Sequence, residues 1–467
     1  MLTSELIDGI RCYRMRIAVC GIGYTGLALS LVLCEFGHLL SCFDVNPKLS
    51  ENLQNICFVE PGLSVLIRKH EELGNLKFVS DLNIALDEAD AVFITIPVKG
   101  QMDEDINLSS LIKLLEEIAT CLQRDKYLPL FIKTAVPVGT TATLANNVAQ
   151  IRPDLISGTH YDVINNPNFM REGSALHDLM MPDRMIFGLS QNTFQQIHCP
   201  ARKIIDDIFL PLKQSNIPFL YTNYEAAELI KSATMGLITV KMAYANEIER
   251  LCNNVGIDLK TLLKGINSDR RVNGDSFIFS AGVGGSSLPR TSRLLINSAK
   301  NFGTELSILS IALESNDKRI HRISTKILQY FNDDKNISNH KIAILGIAFK
   351  SFSDDIRESP SLYVIRDLLE NRVKVSVYDP YYLPQSFNIK NIPQDITSNS
   401  NFSICSSAYD CVTQSDSLVV MTDWPQFRQL DWEKVKELMS GTNSTPMLFD
   451  CSNAFRDCSP KFRYIAA

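Results

Sequence analysis

Two short apolar runs, each opened by a basic residue and closed by a glycine, set the frame of this chain. Arg16-Ile-Ala-Val-Cys20 runs into Gly21, and Lys341-Ile-Ala-Ile-Leu345 runs into Gly346. A run without polar alternation predicts a strand buried on both faces, and the glycine predicts a tight turn into a helix. Further strand-like runs follow each: His38–Asp44, Ala91–Pro97 and Leu128–Lys133 after the first, Val373–Asp379 and Ser417–Thr422 after the second. Strands alternating with helical patterns predict an α/β fold with a parallel sheet, here twice. Between the two, residues 223–255 contain no proline and only Gly236. Their apolar positions Ala227, Ile230, Met235, Ile238, Met242, Ala245 and Ile248 recur at helical spacing. They predict one long central helix, a spine between domains and an oligomer surface. Residues 386–404 are polar and turn-rich and are expected to form a surface connection.

Composition narrows the class. The 467 residues are too many for one ordinary domain, and 45% hydrophobic with 21% charged residues suits large packed cores. A net charge of -6 argues against a nucleic-acid footprint. No apolar run is long enough to span a bilayer, so no membrane partner is expected. Residues 1–14 carry charges where a signal peptide needs an apolar core, and are expected to be a short extension before the first strand. The 12 cysteines are scattered, with no CxxC pair, and the seven histidines form no motif. This is the pattern of reduced, buried thiols in a cytoplasmic protein without a metal site.

The first glycine turn reads Gly21-Ile-Gly23-Tyr24-Thr25-Gly26 and opens a helix expected over Leu27–Phe36. Three glycines serve the tight turn, backbone approach to a pyrophosphate and close helix–strand packing, while the helix N-terminus faces the phosphates. Asp44 lies eighteen residues beyond Gly26, where a carboxylate binds both ribose hydroxyls and repels a 2′-phosphate. The expected cofactor is therefore NAD. A Rossmann-like domain that has lost its nucleotide is the plain alternative. The second turn, Gly346-Ile-Ala-Phe-Lys350, lacks the other glycines and is not expected to hold a second dinucleotide.

More specific motifs follow in order: Lys133-Thr-Ala-Val-Pro-Val-Gly-Thr140, Asn166-Pro-Asn-Phe-Met-Arg-Glu-Gly173 with Pro182-Asp-Arg184, Glu225-Ala-Ala-Glu-Leu-Ile-Lys231 with Asn246-Glu247, Gly282-Val-Gly-Gly285, Leu345 through Pro360, Tyr378-Asp-Pro380 and Thr422-Asp-Trp424. Over residues 15–455 the chain resembles the UDP-glucose and GDP-mannose dehydrogenases, with UDP-glucose 6-dehydrogenase the nearest kind. The resemblance implies an extension over 1–14, an NAD-binding Rossmann domain over 15–215, a central helical dimerisation domain over 216–325 and a Rossmann-like UDP-sugar domain over 326–467. It implies NAD contacts from Gly21, Gly23, Tyr24, Thr25, Gly26, Asp44, Lys48 and Arg357. A UDP-sugar, UDP-glucose or a relative, is expected at Glu172, Lys231, Arg271, Gly284 and Lys350, with Arg271 reaching a neighbouring subunit's substrate in a homodimer. The plain alternatives are a solvated helix lysine for Lys231 and surface ion pairs for Arg271 and Arg357.

The family oxidises the sugar's C6 alcohol to a carboxylate in two hydride transfers and traps the aldehyde on a cysteine thiolate. Ser287 stands where that cysteine is expected, in Gly284-Gly-Ser-Ser287-Leu-Pro-Arg290-Thr291. A serine needs an adjacent base that a thiol does not. Catalytic positions implied are Lys231, Glu172 and, by place alone, Ser287. Further departures from the family pattern are Met235 for an asparagine, Thr291 for an aspartate, Arg290 for a lysine, Ala135 for a threonine, Asn168 for a glutamate and Ser452 for an arginine. The sequence therefore points to a protein that binds NAD and a nucleotide sugar but is deficient in four-electron oxidation. Partial or altered oxidation, and an active dehydrogenase with replaced groups, are the alternatives.

Overall fold

The computed structural model describes residues 14–46, 59–98, 107–272, 279–331, 340–439, 446–455 and 462–466. The chain divides into two compact units, residues 1–233 and 234–467.

The first unit is built on β1 (Arg16–Cys20), β2 (Leu39–Phe43), β3 (Leu76–Val79), β4 (Ala91–Ile94), β5 (Leu128–Ile132), β6 (Tyr161–Asn165), β7 (Met185–Leu189) and β8 (Phe219–Asn223). They form one sheet in the order β3-β2-β1-β4-β5-β6-β7-β8. The middle strands β4, β5 and β6 are buried at every residue, because helices cover both faces. One core lies between the sheet and helix α1 (Tyr24–Glu35), around Leu27, Leu31, Phe93 and Phe187. The other, around Ile94, Leu130 and Val163, includes Leu144 and Val148 of α2 (Thr140–Ile151). The sheet is not wholly parallel: β7 meets β6 antiparallel at Gly188 and Asn165, and β8 follows β7 in parallel.

Helix α3 (Tyr224–Val255) follows β8 and continues into the second unit. It starts one residue after the expected position, since Asn223 ends the strand and its side chain accepts from the Ala226 N–H at 3.0 Å. Its only glycine, Gly236, is needed for packing, because a Cβ there would lie 3.1 Å from Leu309. Further along, Glu249 is fully buried, 2.7 Å from Arg319 of α5 (Ser307–Tyr330), which follows α4 (Leu288–Asn301).

The second sheet comprises β9 (Lys341–Leu345), β10 (Lys374–Tyr378), β11 (Phe402–Ile404), β12 (Ser417–Val420), β13 (Met447–Asp450) and β14 (Arg463–Ala466). All pair in parallel in the order β11-β10-β9-β12-β13-β14. The expected surface connection at 386–404 is corrected here. It holds two helical turns, 387–391 and 394–397, and the edge strand β11. Ile392 and Ile396 are buried and tie it to the core, although its polar residues dominate the pattern.

Among the described residues, nine cysteines are unpaired and no group of histidine, cysteine and acidic residues could hold a metal. Burial pushes the Cys42 thiol up to about 12. No helix of the described residues is long and apolar enough to cross a membrane.

Candidate active site

The first turn is shaped for a dinucleotide. Gly21 has φ +112°, in the region that favours glycine, and a Cβ there would sit 2.8 Å from the Ile96 nitrogen. A Cβ on Gly26 would lie only 1.8 Å from the Gly21 carbonyl oxygen, so the helix start packs directly on the turn. The Thr95 hydroxyl donates to that same carbonyl at 2.7 Å. Gly23, in contrast, would meet nothing within 4 Å, and it is the N-cap of α1 with no side-chain cap. The turn thus presents an open backbone face and uncapped helix N–H groups, the requirement for a pyrophosphate. Asp44 is partly buried beside it, accepting from the Ile22 N–H at 2.7 Å and the Asn46 N–H at 2.8 Å. These residues fit NAD.

Tyr24 and Thr25 tie this turn to the Asn166–Gly173 segment. The Tyr24 hydroxyl donates to the buried Glu60 carboxylate and accepts from the Gly173 N–H at 2.8 Å. Burial and Glu60 hold its proton on well above the usual phenol range. Asn168, which occupies a family glutamate position, donates to the Thr25 hydroxyl at 3.3 Å. Glu172 lies partly buried next to these groups. Lys48 lies outside the described residues.

A cluster of cations surrounds Phe169. Lys231 is 7% exposed, which excludes the solvated-lysine alternative. Its ammonium lies 5.2 Å from the Phe169 ring centre, and the Arg184 guanidinium lies 4.2 Å from the same centre. Lys133, 3% exposed at the end of β5, donates to the Asn166 side-chain oxygen at 2.9 Å. Burial lowers Lys133 to about 7, helped by Lys231, and burial lowers Lys231 to about 8, helped by Arg184. Among the described residues no carboxylate pairs with any of the three. Such a site favours an anion or gives up protons. Lys133 and Arg184 stand in the sequence motifs, but the motifs alone give neither a place in the site. The signal was a lysine ending a fully apolar strand.

One turn of α3 before Lys231, the buried Glu228 accepts from the Gly139 N–H at 2.6 Å, the Thr141 N–H at 2.7 Å and the Thr141 hydroxyl at 2.6 Å. It fixes the start of α2 and the loop that carries Lys133 and the exposed Ala135. Its role was missed because glutamate on a helix normally reads as a surface residue.

In the second unit, Ser287 is exposed at the N-cap of α4, with no side-chain cap. Its hydroxyl faces the Met235 sulfur at 3.9 Å. Among the described residues no histidine or carboxylate hydrogen-bonds it. Thr291 is buried in the first turn of α4. The glycine loop before Ser287 is tightly held: a Cβ on Gly284 would be 2.7 Å from the Glu358 carbonyl oxygen, and the Gly285 N–H donates to the Arg357 carbonyl at 2.9 Å. The Arg357 side chain bonds Asp355 twice at 2.8 Å, and Asp355 also accepts from the Ser286 N–H at 3.3 Å. Arg357 is thus engaged next to the Ser287 loop. Arg271 is 88% exposed and pairs with Asp269 at 2.6 Å. Lys350 lies 5.9 Å from the Phe349 ring centre. Ser452 turns inward, its hydroxyl donating to Asp450 at 2.8 Å.

The second glycine turn is closed. Asp379, fully buried at the end of β10, accepts from the N–H groups of Ile347 (2.9 Å), Ala348 (3.2 Å) and Tyr381 (3.0 Å), and from the Trp424 indole (3.3 Å). The next helix, α6 (Pro360–Glu370), begins fourteen residues after Gly346.

A dinucleotide turn on one α/β sheet, a long helix, and a second sheet of the same strand order with its turn filled define an NAD-dependent oxidoreductase of two Rossmann-like sheets. The family model for the UDP-glucose/GDP-mannose dehydrogenase NAD binding domain matches residues 15–209, the central domain 225–318 and the UDP binding domain 343–457. The UDP-glucose 6-dehydrogenase of Rhizobium meliloti is 30% identical over 95% of this chain and 96% of its own. That of Rickettsia conorii is 30% identical over 97% and 99%. A UDP-glucose dehydrogenase structure from Pyrobaculum islandicum superposes with TM-score 0.81 at 25% identity, covering 97% of both chains. The chain belongs to the UDP-glucose/GDP-mannose dehydrogenase family, and NAD is its cofactor.

Proposed function

We propose that this protein binds NAD and a UDP-sugar, UDP-glucose in the first instance, as a homodimer in a reducing cytoplasm, with little of the family's four-electron oxidation. The observation that carries this reading is Ser287, whose hydroxyl faces a thioether instead of a base. A hydroxyl so placed is a poor nucleophile, because a serine attacks only when an adjacent group takes its proton. Met235 and Ala135 offer no side-chain donor and the Thr291 hydroxyl is no acid–base group, so a single compensating change does not rebuild the unit. Glu172, Lys231, Arg271, Gly284 and Lys350 remain as the candidate sugar-nucleotide contacts, and Lys48, Asp44 and Arg357 as cofactor contacts.

A second reading is favoured by Lys231. With its amine lowered to about 8, it can accept the C6 hydroxyl proton, a step that needs no thiol. Bound NAD would supply the hydride acceptor. The product would then be an aldehyde and one NADH per sugar.

The dimer is supported by Leu237, Tyr244 and Leu251 of α3, 58%, 55% and 56% exposed at seven-residue spacing. Light scattering that finds a monomer at micromolar concentration overturns it.

The test of activity is a titration with NADH and UDP-glucose followed by NADH production. Both ligands should bind, with fewer than two NADH formed per UDP-glucose. Ser287→Cys alone should recover little, whereas Ser287→Cys with Thr291→Asp, Met235→Asn and Ala135→Thr should recover measurable uronate, since members of a catalytic unit are non-additive. Two NADH per UDP-glucose from the wild type defeats the reading and supports an active enzyme with replaced groups.

A further inference from the structure

We propose that a cavity at the end of the first sheet remote from the NAD turn binds a small neutral polyhydroxylated molecule, of monosaccharide size. The cavity holds about 440 Å³ and is walled by Ala142, Ala145 and Asn146 of α2, Tyr161 of β6, Gln191, and Glu225 of α3. That volume lies within the ~300–1,000 Å³ typical of small-molecule sites. Its place follows from topology. Strands β1, β4, β5 and β6 run parallel, so Gly21 lies at their carboxyl ends and Tyr161 at their amino ends. Because β7 runs antiparallel, the chain beyond Leu189 returns beside Tyr161. The cavity therefore opens at the opposite end of the sheet from the NAD site.

The lining selects the ligand class. Among the described residues Glu225 is the only charged one in the lining, so phosphates, carboxylates and nucleotides meet repulsion there. Tyr161 is 2% exposed, yet its hydroxyl has no hydrogen-bond partner among the described residues. Tyr224 alongside it spends its own hydroxyl on the Val163 carbonyl at 2.8 Å. That hydroxyl is not among the fully enclosed unpaired polar atoms, so it is open to the cavity and free to donate to or accept from an incoming hydroxyl. The amides of Asn146 and Gln191 both donate and accept, and the Glu225 carboxylate accepts from paired hydroxyls. Alanines three residues apart on α2 leave a flat apolar wall against which the C–H face of a sugar ring packs. An occupant touches both α2 and the first turn of α3, the two helices that Glu228 ties together, which makes the cavity suited to an effector.

This inference does not depend on the activity proposed above. The experiment is saturation-transfer NMR on the full chain with saturating NADH and UDP-glucose present, so that sugar binding at the family site is blocked. D-Glucose and D-xylose are the neutral probes, with D-glucuronate and glucose 6-phosphate as anionic ones. Both neutral sugars, or one of them, should show transfer, and the anionic sugars much less. Ala145→Phe should abolish it, and Tyr161→Phe should weaken it about tenfold, the loss of one hydrogen bond to a buried hydroxyl. Each variant should keep the rise in melting temperature given by NADH. If Ala145→Phe loses that rise, the exposed Gln191→Ala and Glu225→Gln decide, each expected to weaken binding. No transfer from either neutral sugar at tens of millimolar, equal transfer from the anionic sugars, or transfer unchanged in these variants overturns the proposal.

Discussion

The two sheets begin alike, with an apolar strand, a glycine at positive φ and an aspartate ending the next strand, yet they make opposite use of the design. At Gly21 the turn stays open: Gly23 has free space before it, α1 starts at once, and Asp44 is partly exposed. At Gly346 the turn is consumed by its own neighbours. Ala348 occupies the second glycine's place, no helix begins there, and Asp379 takes four donors in full burial. The same strand order therefore yields a ligand site only where helix N–H groups and a carboxylate are left unspent. Where they are spent, the turn is a structural knot.

Paired substitutions should separate the two turns. Gly346→Ala places a Cβ 2.5 Å from the Thr422 side chain at φ +92° and should cost about 3–5 kcal/mol, measured by urea unfolding, with NADH affinity unchanged per folded molecule. Gly23→Ala should leave stability nearly unchanged and weaken NADH binding about tenfold or more, by fluorescence titration. If both lower stability equally, the distinction fails. Next in size is the aspartate pair. Asp379→Asn turns an amide donor toward a nest of donors and should cost about 2–4 kcal/mol. Asp44→Asn should act mainly on NADH affinity, read by isothermal titration.

A smaller effect concerns the cation cluster. Lys133 and Lys231 are lowered in the fold to about 7 and about 8, so at higher pH the unfolded chain holds more protons than the folded one. Stability from these groups should rise with pH from about 7 toward the unfolded value near ~10, and the full cost of burying charge applies below about 7. Without added ligand, the melting temperature should therefore climb between neutral and mildly alkaline pH, and Lys133→Met should flatten that climb. A wild-type profile flat over this window contradicts the buried pair. Smallest is Tyr24→Phe, which deletes the link from the NAD turn to Glu60 and Gly173. A loss of about 1–2 kcal/mol is expected in unfolding, with NADH affinity within about threefold of wild type.

Much of this was legible in the residues. The first turn, the central helix and the doubled sheet follow from glycine spacing and apolar periodicity, because those signals are local. Strands β3, β6, β7, β8, β11, β13 and β14 lie outside the expected runs. Asp162 interrupts the apolar run of β6, yet it is buried and accepts from Tyr127 and Thr193, partners remote in sequence, as well as from Ser157. β11 sits on a sheet edge among polar residues, where one buried isoleucine on each of two neighbouring turns does the anchoring. At the candidate site, the motif residues were readable but their burial was not. Lys231 could be solvated or enclosed as far as spacing goes, and only the packing of Phe169 and Arg184 decides.

Glu228 carries a last consequence, for how this chain can vary in length. Its carboxylate holds two backbone N–H groups and a hydroxyl at the head of α2, all from a single position on α3. An inserted or deleted residue between Asn223 and Glu228 would swing that carboxylate by about 100° around the helix. Gly139 and Thr141 would lose their acceptor, and Lys231 would turn away from Phe169 in the same movement. This short stretch can therefore drift in residue type but not in residue number, whereas the surface turn after Val255 carries no such constraint. Natural insertions in related chains should fall beyond α3 and spare its first two turns.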